Sequence, residues 1–212
     1  MLGIHDLPLF VLSGVLLNIA PGPDTLFILG HAAKGWRPGL LAALGIGTGC
    51  LVHILAATIG LSALLLASAT AFAILKLVGA GYLVWMGLSL LFSRAEPPGT
   101  PAATIAAPDG RRIFVRGMLT NALNPKVAMF FLAFLPQFVN AEGPHRALSF
   151  FVLGCLFNVT GTAWNVILAR LGSGVVARRP LAQGLAIWFS RGVGAVFVGL
   201  GVKLALAARD GA

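Results

Sequence analysis

Asn18-Ile19-Ala20-Pro21-Gly22-Pro23-Asp24 breaks the first apolar stretch of the chain, and Asn121-Ala122-Leu123-Asn124-Pro125-Lys126 breaks a later one at an offset of 103 residues. Proline lacks an N–H and crowds the carbonyl four residues before it. Pro21, Pro23 and Pro125 are therefore expected to free the carbonyls of Leu17, Ile19 and Asn121 from helical pairing. In hydrocarbon each unpaired backbone group costs several kcal/mol, so a broken helix persists only where it is buried in protein or lines a wet cavity. Breaks in corresponding positions of two halves point to a transport site.

Composition sets the same scene. Hydrophobic residues make up 58% of the 212 positions and charged residues 10%, and the mean hydropathy is +0.93, far from the roughly 25% charge of a soluble domain. Stretches of the about 20 apolar residues needed to cross a bilayer run from Leu7 to Gly30, Gly39 to Leu61, Ala69 to Phe92, Ile113 to Val139, Leu148 to Leu171 and Ile187 to Ala208. The expected fold is an all-α integral membrane protein of six transmembrane helices, with the first and fourth broken. Met1 to Asp6 carries no Lys or Arg and so lacks the basic start of a cleavable signal peptide.

The net charge of +9 does not read as nucleic-acid binding, because no basic stripe with interleaved aromatics accompanies it. Instead the cations sit between spans. Lys34 and Arg37 follow the first span, Arg94, Arg111, Arg112 and Arg116 surround the third loop, and Arg170, Arg178, Arg179 and Arg191 surround the fifth. By the positive-inside rule these loops face the cytoplasm and both termini lie outside.

The two halves match in order. Asn18 aligns with Asn121, Gly49-Cys50-Leu51-Val52-His53 with Gly154-Cys155-Leu156-Phe157-Asn158, and Lys76 with Arg191 ahead of similar small-and-aromatic runs. Three spans per half is an odd number, which predicts an inverted 3+3 repeat. Residues 1–92 form the first repeat and 113–212 the second, joined by a Pro- and Ala-rich cytoplasmic linker at 93–112, with no separate soluble domain.

Asp24 is the only acid inside an expected span, where a carboxyl costs about 2.5 to 3.5 kcal/mol on insertion scales. It either caps the half-helix that restarts after Pro23 or binds a proton or a substrate ammonium. Lys126, in the matching break, either pairs with Asp24 or snorkels toward the cytoplasm. Asn18, Asn121 and Asn124 offer neutral donors and acceptors beside the freed carbonyls, or serve helix packing. His53 either bonds locally or relays protons. The candidate substrate site is thus Asn18, Pro21, Gly22, Pro23, Asp24, Asn121, Asn124, Pro125 and Lys126, with Asp24 and His53 as proton-coupling candidates. The tryptophans read as interfacial belts, and Lys76 and Arg191 as span anchors.

On NIAPGPD at 18 to 24, the Gly-rich second span with Gly49 and His53, and GMLTNALNPKVAMFFLAFLPQFV at 117 to 139, the chain closely resembles the lysine exporter (LysE/RhtB) family of bacterial amino-acid exporters, over nearly its whole length. The resemblance implies an inner-membrane, multi-pass protein without cofactor. It implies efflux of amino acids or close derivatives, homoserine-, threonine- or lysine-like, driven by proton antiport. Two other classes compete. Cys50 and Cys155, at equivalent repeat positions, are candidates for a membrane thiol-disulfide electron carrier, though their apolar settings do not favour reactive thiols. Export of a metal cation or other small ion is the other, disfavoured by a sparse ligand set next to Lys126. An enzyme would need a catalytic set, and an aspartyl protease would need two carboxylates where one is available. The expected partners are an amino acid, protons and the bilayer; a homo-oligomer is compatible with the residues, which do not fix the assembly.

Overall fold

The protein is described by a computed structural model that covers residues 2–92, 109–140, 143–173 and 180–210. Its described elements are helical throughout, apart from an isolated antiparallel bridge between Ile4 and Val139. The expected linker at 93–112 lies, except for its last four residues, outside the described residues.

Helix α1 (Leu7–Ile19) stops ahead of Pro21 because a residue preceding proline is driven out of the helical region; Ala20, its C-cap, already stands at ψ 127°. Gly22 is fully extended, and α2 (Pro23–Ala32) restarts with a proline in its first turn, where the missing N–H would have had no partner anyway. The two segments meet at 55°. The second break follows the same logic. Helix α6 (Gly110–Ala122) ends, Asn124 turns extended ahead of Pro125, and α7 (Pro125–Met129) begins beneath the Asn124 side chain, whose oxygen accepts the Lys126 N–H at 3.0 Å. Here the bend is 42°. Pro23 and Pro125 thus begin new helices, and Pro21 lies in the extended break, so none punctures a continuous helix.

Between the breaks, α3 (Trp36–Ala56) continues through a π-helical turn (Ala57–Leu61) into α4 (Ser62–Ala67), and Ser68 caps α5 (Ala69–Leu91) by accepting the Ala71 N–H at 3.1 Å. Beyond α7 the chain passes through a second π-helical turn (Phe130–Phe134) and a 3-10 turn (Leu135–Phe138) into α8 (Arg146–Gly172), and α9 (Pro180–Asp210) closes the bundle. Among the described residues, Trp36–Leu64 and Arg146–Gly172 are long and apolar enough to cross a membrane, and the two bent pairs raise the number to four if each counts as one span. Within α5, Leu77–Leu91 is a shorter apolar stretch.

Small residues set the crossings. A methyl group on Gly45 or Gly49 of α3 would strike the carbonyl of Phe114 or Met118, so α3 and α6 run side by side, in the same direction, at backbone contact. Antiparallel to α3 lies α8, with Gly47 against Thr162 and Ile54 against Gly154. Likewise α5 and α9 run antiparallel, Gly87 against Gly194 and Ala80 against Gly201.

Two buried apolar clusters result. One gathers at the end where α2 and α8 finish and α3 and α6 start; it is built largely of small or aliphatic side chains, Ile28, Ala42, Ala43, Ile46, Ile113 and Ala169. That end carries Lys34, Arg37, Arg111, Arg112, Arg116 and Arg170, with the Arg170 guanidinium 5.7 Å from the Trp36 ring. The other cluster lies toward the opposite end and is rich in phenylalanine: Phe130 stacks on Phe157 at 4.8 Å, Phe134 meets Phe138 edge-on at 4.8 Å, and Phe10 meets Phe138 at 5.2 Å. At that end the chain start is tied down, His5 N–H donating to the Phe138 carbonyl at 3.0 Å and the Ser149 hydroxyl to that of Leu2.

Of the aromatic-belt expectation, Trp36 opens α3, whereas Trp164 lies well inside α8 with a buried indole N–H that has no protein acceptor. Arg191 lies over the Trp188 ring at 5.5 Å. The side chain of Lys76 falls outside the described residues.

Candidate functional site

The two breaks face each other across the bundle, and their side chains interlock. Asp24, in the first turn of α2, accepts on Oδ2 from Asn121 Nδ2 at 2.8 Å and from Asn124 Nδ2 at 3.0 Å. In the other direction, Lys126 Nζ donates to the carbonyl of Ala20 at 2.6 Å. Each break therefore supplies a charged side chain to the other. Asp24 and Lys126 do not form an ion pair: among the described residues the sole one joins His5 to Asp6. In place of direct pairing, one of the two arrangements the sequence left open, the acid holds two amides and the base a carbonyl. Nor does Lys126 snorkel, since its ammonium is held inside at Ala20.

The freed carbonyls also differ from expectation. Asn121 does lose its helical partner, but the Asn124 N–H reaches its oxygen at 2.9 Å and His53 Nε2 donates to it at 2.8 Å. His53 thereby stands behind the break, 7% exposed, and bonds to the backbone instead of facing the cavity. The carbonyl that receives Lys126 is that of Ala20, a position sequence reasoning did not single out.

Asn18, Gly22, Asp24, Asn121, Asn124 and Lys126 line one chamber. Pro21, Pro23 and Pro125 are not in its wall; they shape the backbone that presents the others. Several polar atoms within it have no protein partner although they are buried: Asp24 Oδ1, Asn121 Oδ1 and Asn18 Nδ2. A buried polar atom left unpaired costs about 1 to 3 kcal/mol, so two acceptors and a donor converging on one space mark a place for something polar. Gly161 of α8 gives Asn18 its room, as a methyl there would come within 2.8 Å of the amide oxygen.

The chamber holds about 30 Å³ of water-accessible space, enough for two or three waters at about 10 to 15 Å³ each and far below the roughly 300 Å³ at which small-molecule pockets begin. It lies where the two apolar clusters meet, with Ile46 from one and Leu17, Cys50, Val127 and Phe157 from the other in its wall. Its lining residues are buried or half-buried, none of them fully exposed.

Sequence reasoning passed over a third wall. Asn158, Thr162 and Asn165 of α8 line the chamber together with Thr25. Their signal was available, since positions i, i+4 and i+7 share one helix face, but three neutral residues in an apolar run carry no charge to draw notice. Cys50 is in the wall, Cys155 packs against the phenylalanine-rich cluster, and both are free thiols. Among the described residues no three His, Cys, Asp or Glu side chains come together as a metal site.

Comparison with known proteins adds a lineage. The model of the LysE type translocator family matches residues 15–208. An uncharacterized membrane protein of Pseudomonas aeruginosa is 35% identical over 210 residues, covering 97% of each chain. Proteins named leucine efflux protein, from Salmonella typhimurium and Salmonella typhi among others, are 28% identical over 204 residues, covering 96% of each chain. No solved structure gives a significant match.

Proposed function

We propose that this chain, which belongs to the LysE type translocator family, exports α-amino acids or close derivatives from the bacterial cytoplasm across the inner membrane, in exchange for protons. The family makes the protein a membrane transporter and not an enzyme; the substrate, the coupling ion and the orientation are our reading. The observation that carries it is the chamber: one carboxylate with a free oxygen, one ammonium and two unpartnered amide atoms, enclosed between apolar clusters.

A zwitterion matches those groups. Its ammonium meets Asp24 Oδ1 and Asn121 Oδ1, and its carboxylate meets Lys126 and Asn18 Nδ2, so charge is balanced on both sides and neither ion is left bare in a medium where that is costly. The lining offers no second acid for a cationic side chain, which favours neutral amino acids over lysine. Leucine, the substrate named for the Salmonella relatives, suits the Leu17, Ile46, Val127 and Phe157 side of the chamber; homoserine and threonine would add a hydroxyl for Thr25 or Thr162.

The architecture we propose is six spans in an inverted 3+3 repeat, with α1–α2 equivalent to α6–α7, α3 to α8 and α5 to α9. The antiparallel runs of α3 with α8 and of α5 with α9 support it. The basic end faces the cytoplasm and the termini lie outside. Substrate loads from the basic end, and a proton arriving on Asp24 from outside cancels the ammonium contact and favours release.

Counterflow in proteoliposomes tests the reading with a panel of leucine, threonine, homoserine, lysine, divalent metal ions and small thiols. Exchange of neutral amino acids is expected. Failure of every amino acid overturns it, and exchange confined to thiols or metal ions transfers the protein to one of those classes.

A further inference from the structure

Outside the paired breaks, the most informative feature is the α8 face. Asn158, Thr162 and Asn165 lie on one side of a largely apolar helix and all three reach the chamber wall. At 1.5 Å per residue they span about 10 Å of helix axis. The series begins beside Phe157, which belongs to the phenylalanine-rich cluster, and runs toward Ala169 and Gly172, which pack against Gly39 and Ala32 at the basic end. Thr162 Oγ1 donates to Asn158 Oδ1 at 3.3 Å. Opposite them, Gly47 packs directly against Thr162, since a Cβ on it would lie 2.6 Å from Thr162 Oγ1 and force that side chain aside.

We propose that Asn158, Thr162 and Asn165 form an uncharged hydrogen-bonding rail along which water and a small neutral zwitterion pass between the basic end of the bundle and Asp24, with Gly47 giving the Thr162 side chain the room to stand in it. The proposal rests on the export reading for its solute and deepens it by assigning the route and its direction. Amide and hydroxyl groups can replace a solute's hydration step by step without binding it as tightly as a fixed charge, the requirement for a path that must release what it admits. The barrier at this end is also the lighter one. Its buried residues are three alanines, Ala42, Ala43 and Ala169, with Ile28, Ile46 and Ile113, and Phe27 and Trp36 pack at its edge, whereas the buried core of the other end is dominated by interlocked phenylalanine rings.

The test places a reporter beside Asp24. Thr25→Cys is made in a Cys50→Ser, Cys155→Ser background, and its labelling by the membrane-impermeant cation 2-(trimethylammonium)ethyl methanethiosulfonate is timed in right-side-out and inverted vesicles. Arg170→Cys marks the basic end. The rail predicts labelling from the side that labels Arg170→Cys, slowed at least tenfold by Thr162→Val with Asn165→Leu and by Gly47→Ala, but not by Thr162→Ser, which keeps the hydroxyl. Equal labelling from the opposite side, or a rate unchanged by these variants in protein that still labels normally at Arg170→Cys, overturns it. The readout needs no transported solute. Side-specific, rail-dependent labelling with no amino-acid counterflow would retire the export reading and leave the route standing; counterflow with rail-independent labelling would do the reverse.

Discussion

Lys126 Nζ sits 2.6 Å from the carbonyl oxygen of Ala20, so a side chain from the start of α7 completes the backbone at the end of α1. That contact joins two breaks 106 positions apart in the chain, and it ties the charge balance of the chamber to the geometry of the first helix. Lys126→Met keeps much of the stem and removes the donor. It is expected to cost about 1 to 3 kcal/mol through the unpaired carbonyl and to lower substrate exchange by more than tenfold. Thermal unfolding in detergent and counterflow read the two effects separately, and unaltered exchange would remove Lys126 from the site.

Asp24→Asn preserves the shape of the acid while removing its charge. If external protons act through Asp24, wild-type export rises as the external pH falls and the variant's exchange is flat with pH. Exchange by the variant that still follows pH would place coupling elsewhere.

Asn121 and Asn124 both hold Asp24, but only Asn124 also caps a helix. Asn124→Ala should therefore lose about 1 kcal/mol more stability than Asn121→Ala, the worth of an N-cap, while both weaken substrate affinity. Unfolding midpoints of the two purified variants give the comparison.

Gly49→Ala brings a methyl against the Met118 carbonyl and Asn121 Cβ at the α3–α6 crossing. Overpacking of this kind costs about 1 to 3 kcal/mol. Gly60, with nothing within 4 Å of an added methyl, is the control, and Gly60→Ala should leave the melting temperature unchanged or raise it.

Cys50→Ser combined with Cys155→Ser should retain amino-acid exchange, because serine is close to cysteine in size and no thiol chemistry enters the proposed cycle, even though Cys50 borders the chamber. Loss of exchange, with the fold intact by size-exclusion chromatography, would revive the thiol-carrier reading.

The breaks were legible in sequence because their cause is local: Pro21, Pro23 and Pro125 act on their own backbone, and Asp24 and Lys126 stand out as charges in apolar runs. What Asp24 and Lys126 touch was not legible. Whether Lys126 meets Asp24 or Ala20 depends on how two bent helices are rotated against each other, and the α6 half of that arrangement is held by backbone contacts with Gly45 and Gly49 of α3 that local sequence does not announce. The link from His53 to the Asn121 carbonyl has the same origin, since it requires α3 and α6 to lie at backbone distance. Asn158, read only as the repeat counterpart of His53, and Thr162 and Asn165 were missed as chamber residues for a different reason: a neutral residue in an apolar helix is unremarkable until the face it shares is known to border the chamber.

A solute that pairs with Asp24 Oδ1, Asn121 Oδ1 and Asn18 Nδ2 binds only the folded protein, so it must register as heat tolerance. A compound that fills them adds RT ln(1 + [L]/Kd) to the folding free energy, about 2.7 kcal/mol at a hundredfold excess over Kd. Melting curves on detergent-solubilised protein, run against a library of metabolites, would then rank candidate cargoes before a single vesicle is prepared.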